Sequence, residues 1–349
     1  MHVSPWRNSH EYLYILFTHF SLKKPEMDFS FIGSLKEYLY ITKIYTSTRS
    51  FSGKKNLISS YGGYFTMTSR ISLTVLVDNT TFMDRDFCGE TGLSFLLETA
   101  GKKILFDTGL SGLFLANAEK MGTGLGDLDV LVLSHGHIDH TGGLAALARY
   151  LGYVKAEGRH RRVPVLVAHP RCFWKKEKEG RKNGSAVSET EARRQFAVNL
   201  SDKPVWITDD LVFLGEIPRQ FAFERMDPGK RLIHHPDGTT ESDHLLDDSA
   251  LAYRSPEGIV IITGCSHAGI CNITEYARKV CGERDVRDII GGFHLIRPEP
   301  ERMKKTGEYL QDLHLSALHA CHCTSLPAKI ALADRCPLQE VGVGMKFAW

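Results

Sequence analysis

Four side chains able to hold a metal ion crowd into one short stretch, Ser134-His135-Gly136-His137-Ile138-Asp139-His140. His135 and His137 stand two apart, so on extended chain they point the same way, and Gly136 leaves room between them. Asp139 and His140 are neighbours in a turn and can face different directions. One loop can therefore serve two ions, with His135 and His137 on the first and the Asp139-His140 pair on the second. Imidazole and carboxylate donors suit zinc, iron or manganese, whereas an all-oxygen calcium site is disfavoured. The competing reading, a surface loop with fortuitous histidines, fits poorly with a position between an apolar strand and a helix.

The elements around this loop follow from the hydrophobic patterning. Strands are expected over 71–77, 93–98, 103–106, 130–133 and 163–167, with helices over 113–121 and 143–151. After a charged, irregular middle (172–245), in which 175–182 reads as a solvated run or as charges that steer an anionic substrate, order returns. Strands are expected over 250–253, 259–262, 286–290 and 315–320, and helices over 273–280, 301–313 and 327–333. The two halves repeat one order of events. In each, a strand pair, a polar turn of small residues and a helix are followed by two further strands, each ending in a His-bearing loop. The stops are Asp107-Thr108-Gly109, 135–140 and His169 in the first half. In the second they are Gly264-Cys265-Ser266-His267, Gly291-Gly292-Phe293-His294 and Cys321-His322-Cys323. Duplicated halves of this kind imply two sheets packed face to face with helices outside, a four-layer αβ/βα sandwich whose strand ends converge on one edge.

His-x-His-x-Asp-His after a hydrophobic strand resembles the signature of the metallo-β-lactamase-fold superfamily, and the resemblance runs from about residue 71 to the C-terminus. Leu76-Val-Asp-Asn79, Gly92-Leu-Ser-Phe95, Ile104-Leu-Phe-Asp-Thr-Gly109, Gly264-Cys-Ser-His-Ala-Gly269, Gly291-Gly-Phe-His-Leu295 and Cys321-His-Cys-Thr324 are together similar to one branch. It is that of the archaeal 7,8-dihydropterin-6-methyl-4-(β-D-ribofuranosyl)aminobenzene 5′-phosphate synthases, a dihydropteroate-synthase-like step of methanopterin biosynthesis. The resemblance implies one or two divalent ions, zinc first, with manganese, iron or magnesium as alternatives. It implies a transferase in which a dihydropterin carbinol diphosphate loses its diphosphate to an aryl carbon nucleophile. The alternatives are a metal-dependent hydrolase of a small phosphoester, ester or lactone, and a non-catalytic metal- or ligand-binding protein.

The chain departs from the superfamily pattern in two places. Where an aspartate usually bridges the metals, the chain reads Thr263-Gly264-Cys265, so Cys265 as a thiolate or His267 stands in for it. The third ligand of the first metal is expected before the strand at 250–253, from Asp243, His244, Asp247 or Asp248, or is missing, leaving one ion. For the last ligand the internal repeat favours His294 over His322, with His322 and His169 then lining the pocket as acid/base or phosphate-binding groups. Asp139, His267 and His322 are the catalytic candidates, Asp139 being the general base of a hydrolytic reaction. Asp107 is expected to accept the free ring N–H of a ligating histidine, or to cap its turn. Asp78, Asn79, Glu90 and Asp248 are expected near the site. Cys321-x-Cys323 lacks the second pair that a structural zinc site needs.

Composition excludes other classes. The 349 residues carry 43 Lys and Arg against 41 Asp and Glu, and the net charge of +2 gives no reason to expect a nucleic-acid partner. No apolar run reaches the length of a membrane span. No signal-peptide pattern stands at the N-terminus. Eight cysteines without a C-x-x-C pair read as reduced thiols. A soluble cytoplasmic enzyme with a phosphorylated or pterin-like small-molecule substrate is expected, and a homo-oligomer is left open. Residues 1–70 lack sustained periodicity and any catalytic motif. They are expected to be a poorly ordered extension or the product of a start assigned too far upstream, with Met67 a candidate true start, in preference to a small domain of their own, before a single domain over 71–349.

Overall fold

A computed structural model describes residues 70–159 and 162–349; the reading of 1–69 as an extension lies outside the described residues. Strands are numbered in chain order. The first sheet runs β17 (Lys346–Ala348), β1 (Ser72–Val77), β2 (Ser94–Thr99), β3 (Lys102–Phe106), β4 (Val130–Val132), β5 (Val165–Ala168) and β8 (Ala197–Leu200). The second runs β16 (Ala317–Cys321), β15 (Val286–Gly292), β14 (Gly258–Thr263), β13 (Ala250–Ser255), β10 (Leu211–Phe213) and β9 (Val205–Trp206). A third, small sheet runs β12 (Thr240–Ser242), β11 (Arg231–His234), β6 (Lys175–Lys178) and β7 (Arg181–Lys182).

Alternation along the strands sorts the core into three layers, because successive side chains leave a strand on opposite faces. Phe95, Leu97, Ile104, Phe106, Val130 and Val132 point inward, where they meet Leu251, Tyr253, Val260 and Ile262 of the second sheet. Their neighbours Leu96, Leu105 and Leu131 point outward, under helices α1 (Leu113–Lys120) and α2 (Leu144–Ala156). On the far side Ile259 and Ile261 pack under α3 (Ile270–Cys281), α4 (Pro300–Asp312) and α5 (Leu326–Ala333). Each such aliphatic side chain contributes about 1.5–3 kcal/mol when fully buried. The result is the expected αβ/βα sandwich.

Strand direction places the site. β3, β4 and β5 are mutually parallel, as are β14, β15 and β16. Asp107 follows β3, the 135–140 loop follows β4, Cys265 to His267 follow β14, His294 follows β15 and His322 follows β16. All therefore leave the carboxyl ends of their strands. β1 is antiparallel to β2 and β2 to β3, so Asp78 and Asn79 emerge at the same edge.

Two expectations need correction. The helix expected over 143–151 continues to Ala156, since Leu151 and Val154 extend its buried stripe. The middle is less irregular than its charge suggests. The run at 175–182 forms the β6–β7 hairpin, and Lys176 in it is 2% exposed. Lys176 points inward, whereas Lys175 on the opposite face and Lys178 at the hairpin end face solvent.

Candidate metal centre

His135, His137 and His267 form one set of facing donors. His135 Nε2 is 3.0 Å from His137 Nδ1, and His267 Nε2 is 3.2 Å from the same atom. All three rings are buried. Burial holds His135 and His267 well below the ordinary histidine range and takes His137 down to about 3. The rings are thus neutral at neutral pH, and three lone pairs aimed at one point suit a cation between them.

A second set adjoins it. His140 Nε2 lies 3.2 Å from Cys265 Sγ, 3.2 Å from His322 Nε2 and 3.7 Å from Asp139 Oδ2, and His322 Nε2 is 3.4 Å from that carboxylate. Burial would depress His140, but the Asp139 and Asp107 carboxylates raise it to about 9. Burial would raise Asp139, but His140 and His322 hold its carboxyl well below the usual range. Burial pushes the Cys265 thiol up. A third grouping joins Cys265, His267 and His294, so Cys265 stands between both sets.

The shell beneath fixes these rings. Asp107 accepts His140 Nδ1 at 2.7 Å and the Ser134 hydroxyl at 2.6 Å, while Ser134 Oγ meets His135 Nδ1 at 2.9 Å. This network assigns a proton to each Nδ1, so that His135 turns its Nε2 lone pair to the centre and His140 does so once its second proton is lost. Asp107 itself is held at φ +60, and Ser266, His294 and His322 also have left-handed backbones. Non-glycine residues in this region carry strain that gathers at sites held firmly by their surroundings. His322 is clamped on both sides, its N–H donating to Asp78 Oδ2 at 3.0 Å and its Nδ1 lying 3.0 Å from Asn79 Oδ1. Glu90 accepts Leu110 N and Ser111 N, each at 3.0 Å, and so holds the Gly109 turn.

Gly136 is forced by close approach, since a Cβ there would fall 2.2 Å from Cys172 O. Its N–H donates to Asp247 Oδ2 at 2.8 Å, and Asp247 and Asp243 pair with Lys176 Nζ at 2.9 and 3.3 Å. These two aspartates therefore face the lysine and the loop backbone. Asp248 accepts Ala268 N at 2.9 Å, and burial pushes its carboxyl up to about 7. His244 is exposed. It is His267 that stands with His135 and His137, and His322 that stands with Asp139 and His140. His294 lies beside His267, with ring centroids 4.2 Å apart. His169 does not line the cleft; its Nδ1 accepts Arg171 N at 3.1 Å, and its Nε2 lies 3.4 Å from Glu216 Oε2.

Both donor sets floor a cleft of about 510 Å³, whose mouth carries Lys178 and Arg231 from the small sheet and Ile296. Sequence reasoning missed Ser134, Arg231 and the burial of Lys176, whereas Lys178 belongs to the 175–182 run whose second reading is the steering of an anionic substrate. Ser134 is adjacent to the motif and carries the hydroxyl such a relay needs. Alternation along β6 puts Lys176 and Lys178 on one face and does not tell the buried lysine from the exposed one, and nothing local marks Arg231.

Residues 89–271 match the metallo-beta-lactamase superfamily. The chain is similar to the 7,8-dihydropterin-6-methyl-4-(beta-D-ribofuranosyl)-aminobenzene-5'-phosphate synthase of Methanocaldococcus jannaschii, 30% identical over 74% of this chain and 89% of that protein. It is similar to the uncharacterized protein MJ0448 of the same organism, 29% identical over 75% of this chain and 94% of that one. Among solved structures it resembles Tm1679, a metal-dependent hydrolase of the beta-lactamase superfamily, with TM-score 0.66 and 25% identity over 79% of this chain and 98% of that one. Fold, donor loops and these likenesses agree that the chain belongs to the metallo-beta-lactamase superfamily.

Proposed function

We propose that the chain is a two-metal enzyme that displaces diphosphate from a dihydropterin carbinol diphosphate, with an arylamine as the nucleophile. The observation that carries the reading is two adjacent donor sets on the floor of one cleft with a basic mouth. His135, His137 and His267 would hold one divalent ion, and Asp139, His140 and His322 the other, with Cys265 between them. Zinc suits this imidazole-rich set, with its single thiol, better than magnesium. The bound ions would neutralise charge developing on the departing diphosphate. As the carbon–nitrogen bond forms and the carbon–oxygen bond to diphosphate breaks, the nitrogen loses a proton. Asp139, ionised and a quarter exposed to the cleft, is placed to take it. Lys178 and Arg231 draw the anionic substrate in. The relative named as a synthase of a dihydropterin-linked aminobenzene phosphate supports this choice.

The test is incubation of the protein with the dihydropterin diphosphate and a ribofuranosyl-aminobenzene phosphate in zinc, manganese, iron or magnesium. Diphosphate is the expected product, and its absence with every metal sinks the proposal. Likeness to Tm1679 favours hydrolysis as the second reading, with Asp139 as general base towards water. Turnover on an esterase and phosphodiesterase panel, without diphosphate release in the first assay, would select it.

A further inference from the structure

A second cavity of about 460 Å³ adjoins the metal cleft and shares Arg231, His294 and Ile296 with it. Four guanidinium groups line it, from Arg225, Arg231, Arg297 and Arg302. Arg225 and Arg297 are exposed, while Arg231 and Arg302 are half-buried. Three carboxylates share the wall, from Asp227, Glu299 and Glu301. Two of these are engaged: Asp227 Oδ1 accepts Gly229 N at 2.8 Å, and Glu301 pairs with Lys305 at 2.7 Å.

The arginines are less engaged, although Arg302 feels the buried Glu224 carboxylate, whose oxygens accept Cys271 N and Asn272 N. Arg231 Nη1 reaches only the backbone carbonyls of Asp227 and Pro228, at 3.3 Å each. Arg302 Nε is buried and has no hydrogen-bond partner among the described residues, and the same holds for His294 Nδ1 on the wall shared with the metal cleft. Buried donors without partners cost free energy that a ligand can recover. Helix α4 begins at this wall, and its N-cap residue Glu299 makes no side-chain capping bond. Its N-terminal dipole therefore adds positive potential to that of the guanidinium forks, which match phosphate oxygens in pairs.

We infer that this arginine-lined cavity seats the phosphate of an organic phosphomonoester whose other end reaches the metal cleft past Arg231 and His294. The phosphate is a handle, held away from the reacting atoms and not consumed. Which end of the ligand reacts rests on the function proposed above; the phosphate seat itself does not.

Binding of ribose 5-phosphate, with ribose as control, to the full-length zinc-loaded protein tests this by titration calorimetry. The sugar phosphate binds and ribose does not. Arg302→Gln weakens binding at least tenfold. The Arg225→Ala/Arg297→Ala double variant does the same while leaving the half-buried Arg302 in place, so a folding defect of the first variant cannot mimic the result. Removal of zinc by a chelator leaves binding intact. Equal affinity in wild type and the double variant, loss on chelation, or no binding by wild type overturns the inference. Arginine-dependent binding without diphosphate release from the pterin substrate would refute the proposed reaction alone. Diphosphate release with arginine-independent binding would refute the phosphate seat alone.

Discussion

His140 uses its two ring nitrogens for opposite purposes, Nδ1 held by Asp107 and Nε2 turned to Cys265 and His322. Its folded pKa of about 9 lies above the ordinary 6.5. In the metal-free protein the His140 pairing therefore contributes stability that is fully present below about pH 6.5 and is lost as pH rises through about 9. A cation at this set must expel the proton, so its affinity rises about tenfold per pH unit between pH 7 and 9. The His135–His137–His267 set is already neutral and releases no proton at pH 7. Titration calorimetry in buffers of different ionisation heat counts these protons: one is expected from His140, a second where Cys265 binds as a thiolate, and none from the other set. Asp107→Asn removes one of the two charges that raise His140, leaving Asp139. It is expected to lower metal affinity about 10- to 100-fold and to reduce the proton release. Unchanged release would show that Asp107 does not govern His140. Asp107 was legible because Phe-Asp-Thr-Gly ends a strand, but its hold on two rings through Ser134 depends on how β3 and β4 pair.

At the scale of elements, the loop after β4 is held from below by a charge cluster on the small sheet. Lys176, 1% exposed in its side chain, pairs with Asp243 and Asp247, and Asp247 fixes the Gly136 N–H. Lys176→Met leaves two buried carboxylates without their cation and is expected to cost about 3–5 kcal/mol of stability, read by urea unfolding. The same change should weaken metal binding, because Gly136 loses its anchor. A loss below about 1 kcal/mol would mean that water reaches the aspartates. Gly264→Ala is expected to damage the site without touching a donor, since its Cβ would fall 2.2 Å from Ser134 Oγ. Reduced metal content in a folded variant checks this. Most strands and helices were legible from period alone, because each half-buried strand shows one face to the sheet–sheet core and the other to the helices. The third sheet was not, since its strands are short and charged and their order rests on pairing between segments some fifty residues apart, such as Lys176 with Ile233.

For the whole molecule, residues 70–349 contain both large sheets, all three core layers and every donor of the two sets. Among the described residues no helix is long and apolar enough to cross a membrane. A chain starting at Met67 is therefore expected to fold and keep its activity; loss of either would assign residues 1–66 a part in the domain. Fold and strand-end convergence were legible because the motif order repeats between halves. The same repeat favoured His294, which stands with Cys265 and His267, whereas His322 stands with Asp139 and His140, since the order of stops does not determine how far each loop reaches across the edge. The central claim is that two cation sites adjoin at this edge. Anomalous diffraction at the zinc edge from crystals grown with zinc tests it most directly. Two peaks are expected, one among His135, His137 and His267 and one among Asp139, His140 and His322. Peaks elsewhere, or none at either set, would contradict the account.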